Sequence, residues 1–128
     1  MKNTTKQWLE FAEIDLKTCI KLLDDVIFTP IVAFHSQQVV EKCFKAIIEE
    51  HCLQLPRVHS VAKLYGQIRT LINFKVDFVL IQKIDSVYTS SRYPSDQGLL
   101  PEGKPSRETA LELYTFAQYI FDETIKLV

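Results

Sequence analysis

The sequence predicts an all-α fold: an antiparallel up-and-down four-helix bundle with one additional short helix, in a single domain spanning residues 1–128. Three observations point there. Apolar residues recur at spacings of three and four along five segments, which is the repeat of one helical face. Thr, Ser or Pro stands at several of the segment starts, where helices prefer them. No segment alternates apolar and polar residues over a useful length, and even the β-rich run from Val76 to Ile81 lacks the period of a strand.

The first helix is expected over residues 5–25. Thr4 with Gln7 three positions on is a capping-box pattern. Trp8, Ala12, Leu16, Cys19, Leu23 and Val26 form its inward stripe, and Leu9, Ile20 and Ile27 form a second apolar row. The second helix is expected over residues 29–51, with Thr29 as N-cap and Pro30 in the first helical position. Its polar residues make one narrow stripe of Gln38, Glu41, Lys42, Lys45 and Glu49, and most other positions are apolar. So wide an apolar arc predicts a helix covered on several sides. Ser60 caps a short third helix, with Val61, Leu64, Tyr65, Ile68, Leu71 and Ile72 at helical spacing. A fourth helix is expected over residues 75–91. Three prolines and two glycines between Arg92 and Pro105 then impose a loop. Ser106 caps the last helix, whose inward face is Ala110, Leu113, Ala117, Ile120, Thr124 and Leu127.

Composition narrows the function. The 128 residues include 47% hydrophobic ones and only three glycines, enough for a core without disulfide or metal staples. The net charge of −1 gives no global signature of nucleic-acid binding, so any such contact must be a local patch. No apolar run approaches the roughly 20 residues that cross a bilayer, and residues 1–7 are polar, so neither a membrane partner nor a signal segment is expected. Cys19, Cys43 and Cys52 are odd in number and lack metal-type spacing, which reads as reduced thiols of a cytoplasmic protein. The three histidines are likewise spaced unlike metal ligands, so no metal and no cofactor is expected.

In the second helix the run from Ala33 to Ala46 carries Gln37-Gln38, then Glu41-Lys42, then Lys45-Ala46. Trp8, Ala12 and Asp15-Leu16 precede it. Pro56, His59 and Leu64 follow, and Ser91-Arg92-Tyr93-Pro94 with Asp96 comes later. In this order the four pieces resemble the HEPN family over almost the whole chain. The resemblance implies a bundle of about five helices, often dimeric, and commonly paired with a small nucleotidyltransferase in what look like toxin–antitoxin pairs. Some members are ribonucleases, and others are linked to nucleotide binding. Active ribonuclease members carry Arg, four to six residues, then His. None of Arg57, Arg69, Arg92 and Arg107 has a histidine at that spacing, so cleavage by the family mechanism is not expected here.

Site candidates follow. Asp15 falls on an apolar face, where an unpaired carboxylate is costly. It is either a polar latch to another helix or an organiser of a phosphate site. Arg92 and Tyr93 suit phosphate and base contacts, and Arg92 equally suits a carboxylate or a helix end. His59 is either a structural hydrogen-bonding residue or an acid/base. His35 and His51 read as helix-surface residues. Lys42 and Lys45, beside Glu41 and Glu49, form either a solvated or dimer-lining face or a small cationic patch for nucleotide or RNA. Gln37, Gln38 and Glu41 are structural polar candidates. A tyrosine such as Tyr93 is a chemically sensible acceptor for nucleotidyl transfer. The broad apolar arc of the second helix and its charges of both signs predict a homodimer, with Glu41 or Glu49 of one chain facing Lys42 or Lys45 of the other.

Overall fold

Among the described residues five helices follow one another: α1 (Asn3–Leu22), α2 (Thr29–Glu50), α3 (Val61–Ile68), α4 (Phe78–Arg92) and α5 (Arg107–Leu127), with a 3-10 turn, Val26–Phe28, ahead of α2. The computed structural model describes residues 1–92 and 104–128, and side chains through Tyr88 and from Lys104 onward. Among the described residues there is no strand.

The helix starts are set partly by local chemistry and partly by distant chain. Ser60 and Ser106 cap as expected, accepting from the backbone of Lys63 at 3.3 Å and Thr109 at 3.0 Å. Asp85 of α4 reinforces α3, accepting from Ser60 Oγ at 2.9 Å and from the amides of Val61 at 2.8 Å and Ala62 at 3.1 Å. Those amides are among the donors that a helix start leaves unsatisfied. The expected capping box at Thr4 does not form. α1 begins at Asn3 without a side-chain cap. Thr4 instead donates to Glu49 at 3.2 Å, while Thr5 and the Lys2 amide donate to Glu50 at 2.9 and 3.0 Å. The Lys2 amide and then the Thr5 hydroxyl hold the Glu50 carboxyl below its ordinary range. Thr29 is not a cap either. It is the first residue of α2, and its hydroxyl is buried without a protein partner. The preceding turn is organised by Asp25, which accepts from the Ile27 amide at 3.1 Å. α4 starts at Phe78 rather than Lys75, because Asp77 accepts from the Val79 amide at 2.9 Å and so serves as its cap.

α2 ends in a Schellman motif. The Leu53 amide bonds the Ile48 carbonyl and the Cys52 amide bonds the Glu49 carbonyl. The motif needs a left-handed residue, and Cys52 fills that place with φ 57°.

Cross-links fix the directions. Lys2 meets Glu50 and Cys19 meets Val32, so α1 and α2 are antiparallel. Phe34 meets Tyr88, which sets α4 antiparallel to α2. Lys83 meets Glu112 and Lys75 meets Tyr119, which sets α5 antiparallel to α4. α1, α2, α4 and α5 are therefore the up-and-down bundle, and α3 is the added short helix.

α2 packs against all four other helices, and 14 of its 22 residues are buried. Phe44, Ile47 and Ile48 are fully buried, each contributing roughly 1.5–3 kcal/mol by leaving water. One core cluster draws on every helix, joined by a small one of Cys19, Val32 and Ala110. The wide apolar arc of α2 is thus covered within one chain, so it is not the spare face from which a dimer was inferred. Leu9, assigned above to an outer row, is also in the core, while Val26, assigned inward, is exposed. Ile20 and Ile27 are exposed, together with Phe11, Ile14 and Ile31. No described helix is long and apolar enough to cross a membrane.

Candidate functional site

α1 and α2 meet along a seam that carries two buried carboxylates. Asp15 follows Ala12 by three and precedes Cys19 by four, so it shares the face that α1 turns to α2. Two α2 side chains seven residues apart, hence on one helical face, close on it. His35 Nδ1 lies 2.7 Å from Oδ1 and Lys42 Nζ lies 2.5 Å from Oδ2. Each carboxylate oxygen therefore has its own donor, which a buried charge requires.

The second carboxylate, Glu41, is 4% exposed. Lys45 Nζ lies 2.9 Å from one oxygen, and Gln37 Nε2 donates to the other at 3.1 Å. His59 Nδ1 bridges both oxygens at 3.3 Å. Gln37 also donates to the His59 carbonyl at 2.8 Å, so its one amide nitrogen ties α2 to the chain entering α3. Gln38 donates to Gln37 Oε1 at 2.8 Å and lies 3.5 Å from Glu41. On its other side the Lys45 ammonium sits over the Trp8 ring, 5.5 Å from the centroid. The solvated stripe expected on α2 is thus buried at its centre. Lys45 is 7% exposed and is held by Glu41 of its own helix, not by a partner chain.

An aromatic lip runs over this polar seam. His59 stacks on Tyr88 at 5.9 Å and 17°. Tyr88 leans on Phe34 at 5.6 Å, and Phe34 meets His35 edge-on at 5.2 Å. The two histidines present the same arrangement, with Nδ1 on a carboxylate and Nε2 away from it. A carboxylate accepts only, so Nδ1 is the donor in each of these bonds. His59 is the accessible one of the pair, its side chain 67% exposed against 26% for His35. His51 lies elsewhere, at the end of α2, with Nδ1 on its own helix at Ile47 O. Arg92 is the last residue of α4, one turn beyond Tyr88, and its side chain and all of Tyr93 lie outside the described residues.

The seam thus joins Asp15, Lys42, Glu41, Lys45, Gln37, Gln38 and His59, with both lysines already neutralised. The surface reading of His35 is corrected, since it bonds Asp15. A signal for it was present: it shares a face with Lys42 and Gln38 and lies opposite a carboxylate in need of donors. Trp8 is placed by the sequence on the inward stripe of the first helix, and nothing there announced its cation–ring contact or the stack of His59 on Tyr88. Among the described residues no group of three His, Cys, Asp or Glu is placed to hold a metal ion. Burial pushes the Cys19 thiol up to about 11 and the Cys43 thiol higher still, so neither is a nucleophile near neutral pH.

A family model described as HEPN domain matches residues 5–127. The fold is similar to TT1696 from Thermus thermophilus, with 23% identity, a TM-score of 0.81, and coverage of 99% of this chain and 100% of that one. It is also similar to ST0689, an archaeal HEPN homologue, with 24% identity, a TM-score of 0.69 and coverage of 98% of both chains. No match is found among curated proteins.

Proposed function

Because this chain belongs to the HEPN family, we propose that it serves as the non-catalytic partner of a small nucleotidyltransferase, in a toxin–antitoxin-like pair in the cytoplasm. In this reading it regulates that enzyme or is modified by it, with a nucleotide as ligand at the lip formed by His59 and Tyr88. One observation carries the reading: Lys42 and Lys45 are spent on Asp15 and Glu41, so the seam supplies structure rather than free cations for a scissile phosphate. The missing Arg-to-His spacing of the ribonuclease members supports it further. The test pairs this protein with a small nucleotidyltransferase and ATP. Co-elution on gel filtration, or an added nucleotidyl mass on the intact chain, is expected. Neither complex nor adduct refutes the proposal.

A second reading rests on His59. Its Nδ1 is anchored on a buried carboxylate and its ring is accessible, which suits an acid/base in residual RNA cleavage together with Arg92. Cleavage that persists unchanged in His59→Ala and Arg92→Ala proteins removes it. A homodimer remains part of the proposal, now through the exposed apolar residues of α1 and the start of α2, including Phe11, Ile14 and Ile31. Light scattering is expected to give about twice the 14.8 kDa chain mass, and a monomer mass at micromolar concentration refutes it.

A further inference from the structure

α4 and α5 each pack on α2 more extensively than on each other. Between them lies a cavity of about 660 Å³, a size that takes a small organic molecule. Its α5 wall is one helical face: Leu111, Thr115 and Tyr119 follow at intervals of four, with Phe116 beside them. Leu80 of α4 stands opposite. The cavity is open to water, since Leu111 is 51% and Tyr119 39% exposed. Carbon left wet inside a concavity favours any apolar body that dries it. The Tyr119 ring is held in place, its hydroxyl donating to the Lys75 carbonyl at 2.6 Å and Phe74 meeting it edge-on at 6.2 Å.

Charge is distributed unevenly along the cavity. At the Tyr119 end Lys75 offsets Asp77, whose carboxylate also caps α4. Towards the other end Lys83 holds Glu112 at 2.6 Å. Glu108, one turn further on, lines the cavity and is in no ion pair among the described residues, its neighbour Arg107 being turned to Asp24. The lining groups and Lys83 therefore leave one negative charge in excess, and it stands at Glu108. Glu108 and Tyr119 are eleven residues apart on α5, hence about 16 Å. The bonds Lys83–Glu112 and Lys75–Tyr119 cross from the α4 side to α5 at two levels about 10 Å apart. A partner helix laid along the groove would have to break both, whereas a slender molecule does not.

We propose that this cavity binds a small amphiphilic monocation. An aromatic body lies against Leu80, Phe116 and Tyr119, and a short alkyl chain passes Leu111 to an ammonium group at Glu108. Area burial and ring contacts hold the body, and the unpaired carboxylate selects the sign of the charge. The site shares no residue with the buried carboxylates, their lysines or the lip of His59 and Tyr88, so it is independent of the nucleotidyltransferase reading.

The experiment is a fluorescence titration of the full chain with dansylcadaverine, whose naphthalene body brightens on leaving water and whose alkyl chain ends in an ammonium. Its N-acetyl derivative is the neutral match, and dansyl aminohexanoate is the anionic one. Dansylcadaverine is expected to bind saturably with a Kd of roughly 10 μM, ordinary for its size. The neutral match is expected to bind about fivefold more weakly, and the anionic one more weakly still. Glu108→Gln is expected to erase the difference between the cation and its neutral match. Thr115→Trp fills the cavity from an exposed position and Leu111→Arg blocks it from another, and each is expected to abolish binding of all three probes. Circular dichroism establishes that each variant is folded. Absence of saturable binding, equal affinity for the cation and its neutral match, a preference that survives Glu108→Gln, or undiminished binding in either folded cavity variant overturns the proposal. A dimer in light scattering that Thr115→Trp converts to a monomer also overturns it, in favour of a second copy of this chain as occupant.

Discussion

Replacing Glu41 by Ala tests the energetic account of the seam. At 2.9 Å the Glu41–Lys45 attraction is roughly 6 kcal/mol with an effective dielectric of about 20. Stripping water from each ion costs several kcal/mol, so the intact pair adds little net stability. Its loss on one side is a different matter. With Glu41 removed, the Lys45 ammonium remains buried with the Trp8 ring as its described partner, and His59 Nδ1, Gln37 and Gln38 lose an acceptor. The expected cost is about 3–5 kcal/mol, a large share of the stability of a domain this size. The double change Glu41→Leu/Lys45→Met removes both charges at similar volume and is expected to recover to within about 1 kcal/mol of the original protein. Urea unfolding followed by far-UV circular dichroism, with slopes compared across the set, measures all of this. A single change costing under about 1 kcal/mol, or a double change costing more than the single, refutes the reasoning.

Other outcomes follow from features of the helix ends and the thiols. Asp85→Ala strips three hydrogen bonds from the start of α3 and is expected to cost about 2 kcal/mol, with hydrogen exchange quickened in α3. Cys52→Gly relieves a left-handed residue and is expected to raise stability by about 0.5–1 kcal/mol in the same urea assay. Thiol labelling at pH 8 is expected to modify Cys52 alone in the native protein and all three cysteines in denaturant. Rapid native labelling of Cys43 contradicts its burial.

Much of the fold was legible because the α-helical period is written into the apolar positions, and Ser60 and Ser106 are short-range caps that act through neighbouring residues. The errors cluster where distant chain overrides a local signal. Thr4 matched a capping box, yet Glu49 and Glu50, 45 residues on, offered better acceptors. Lys75 looked like the start of α4, but Asp77 was the stronger cap. For the site, the burial of Asp15 was legible from its place on an apolar stripe. The identity of its donors was not, because a histidine and a lysine on the next helix look like surface residues until the helices are aligned. The lysines of α2 were misjudged for the same reason: a charged stripe is read as solvated, and here it lies under α1 and the chain leading to α3.

The placement of α2 also orders how the molecule comes apart. Releasing any one neighbour wets a single side of α2 and leaves the others dry. The N-terminal turns of α1 fray once the Lys2 and Thr5 latch to Glu50 opens, and α3 takes Tyr65 off Phe44 once Asp85 lets go, yet both events leave α5 packed on α2. The innermost amides of α2 therefore exchange only when the whole chain unfolds, whereas the outer helices exchange through partial openings. The same geometry bears on where the chain tolerates a break. A cut between Cys52 and Ser60 yields α1–α2 and α3–α5, and the first piece carries the central helix with three of its four neighbours missing. Such halves have reason to find each other in solution before either becomes ordered.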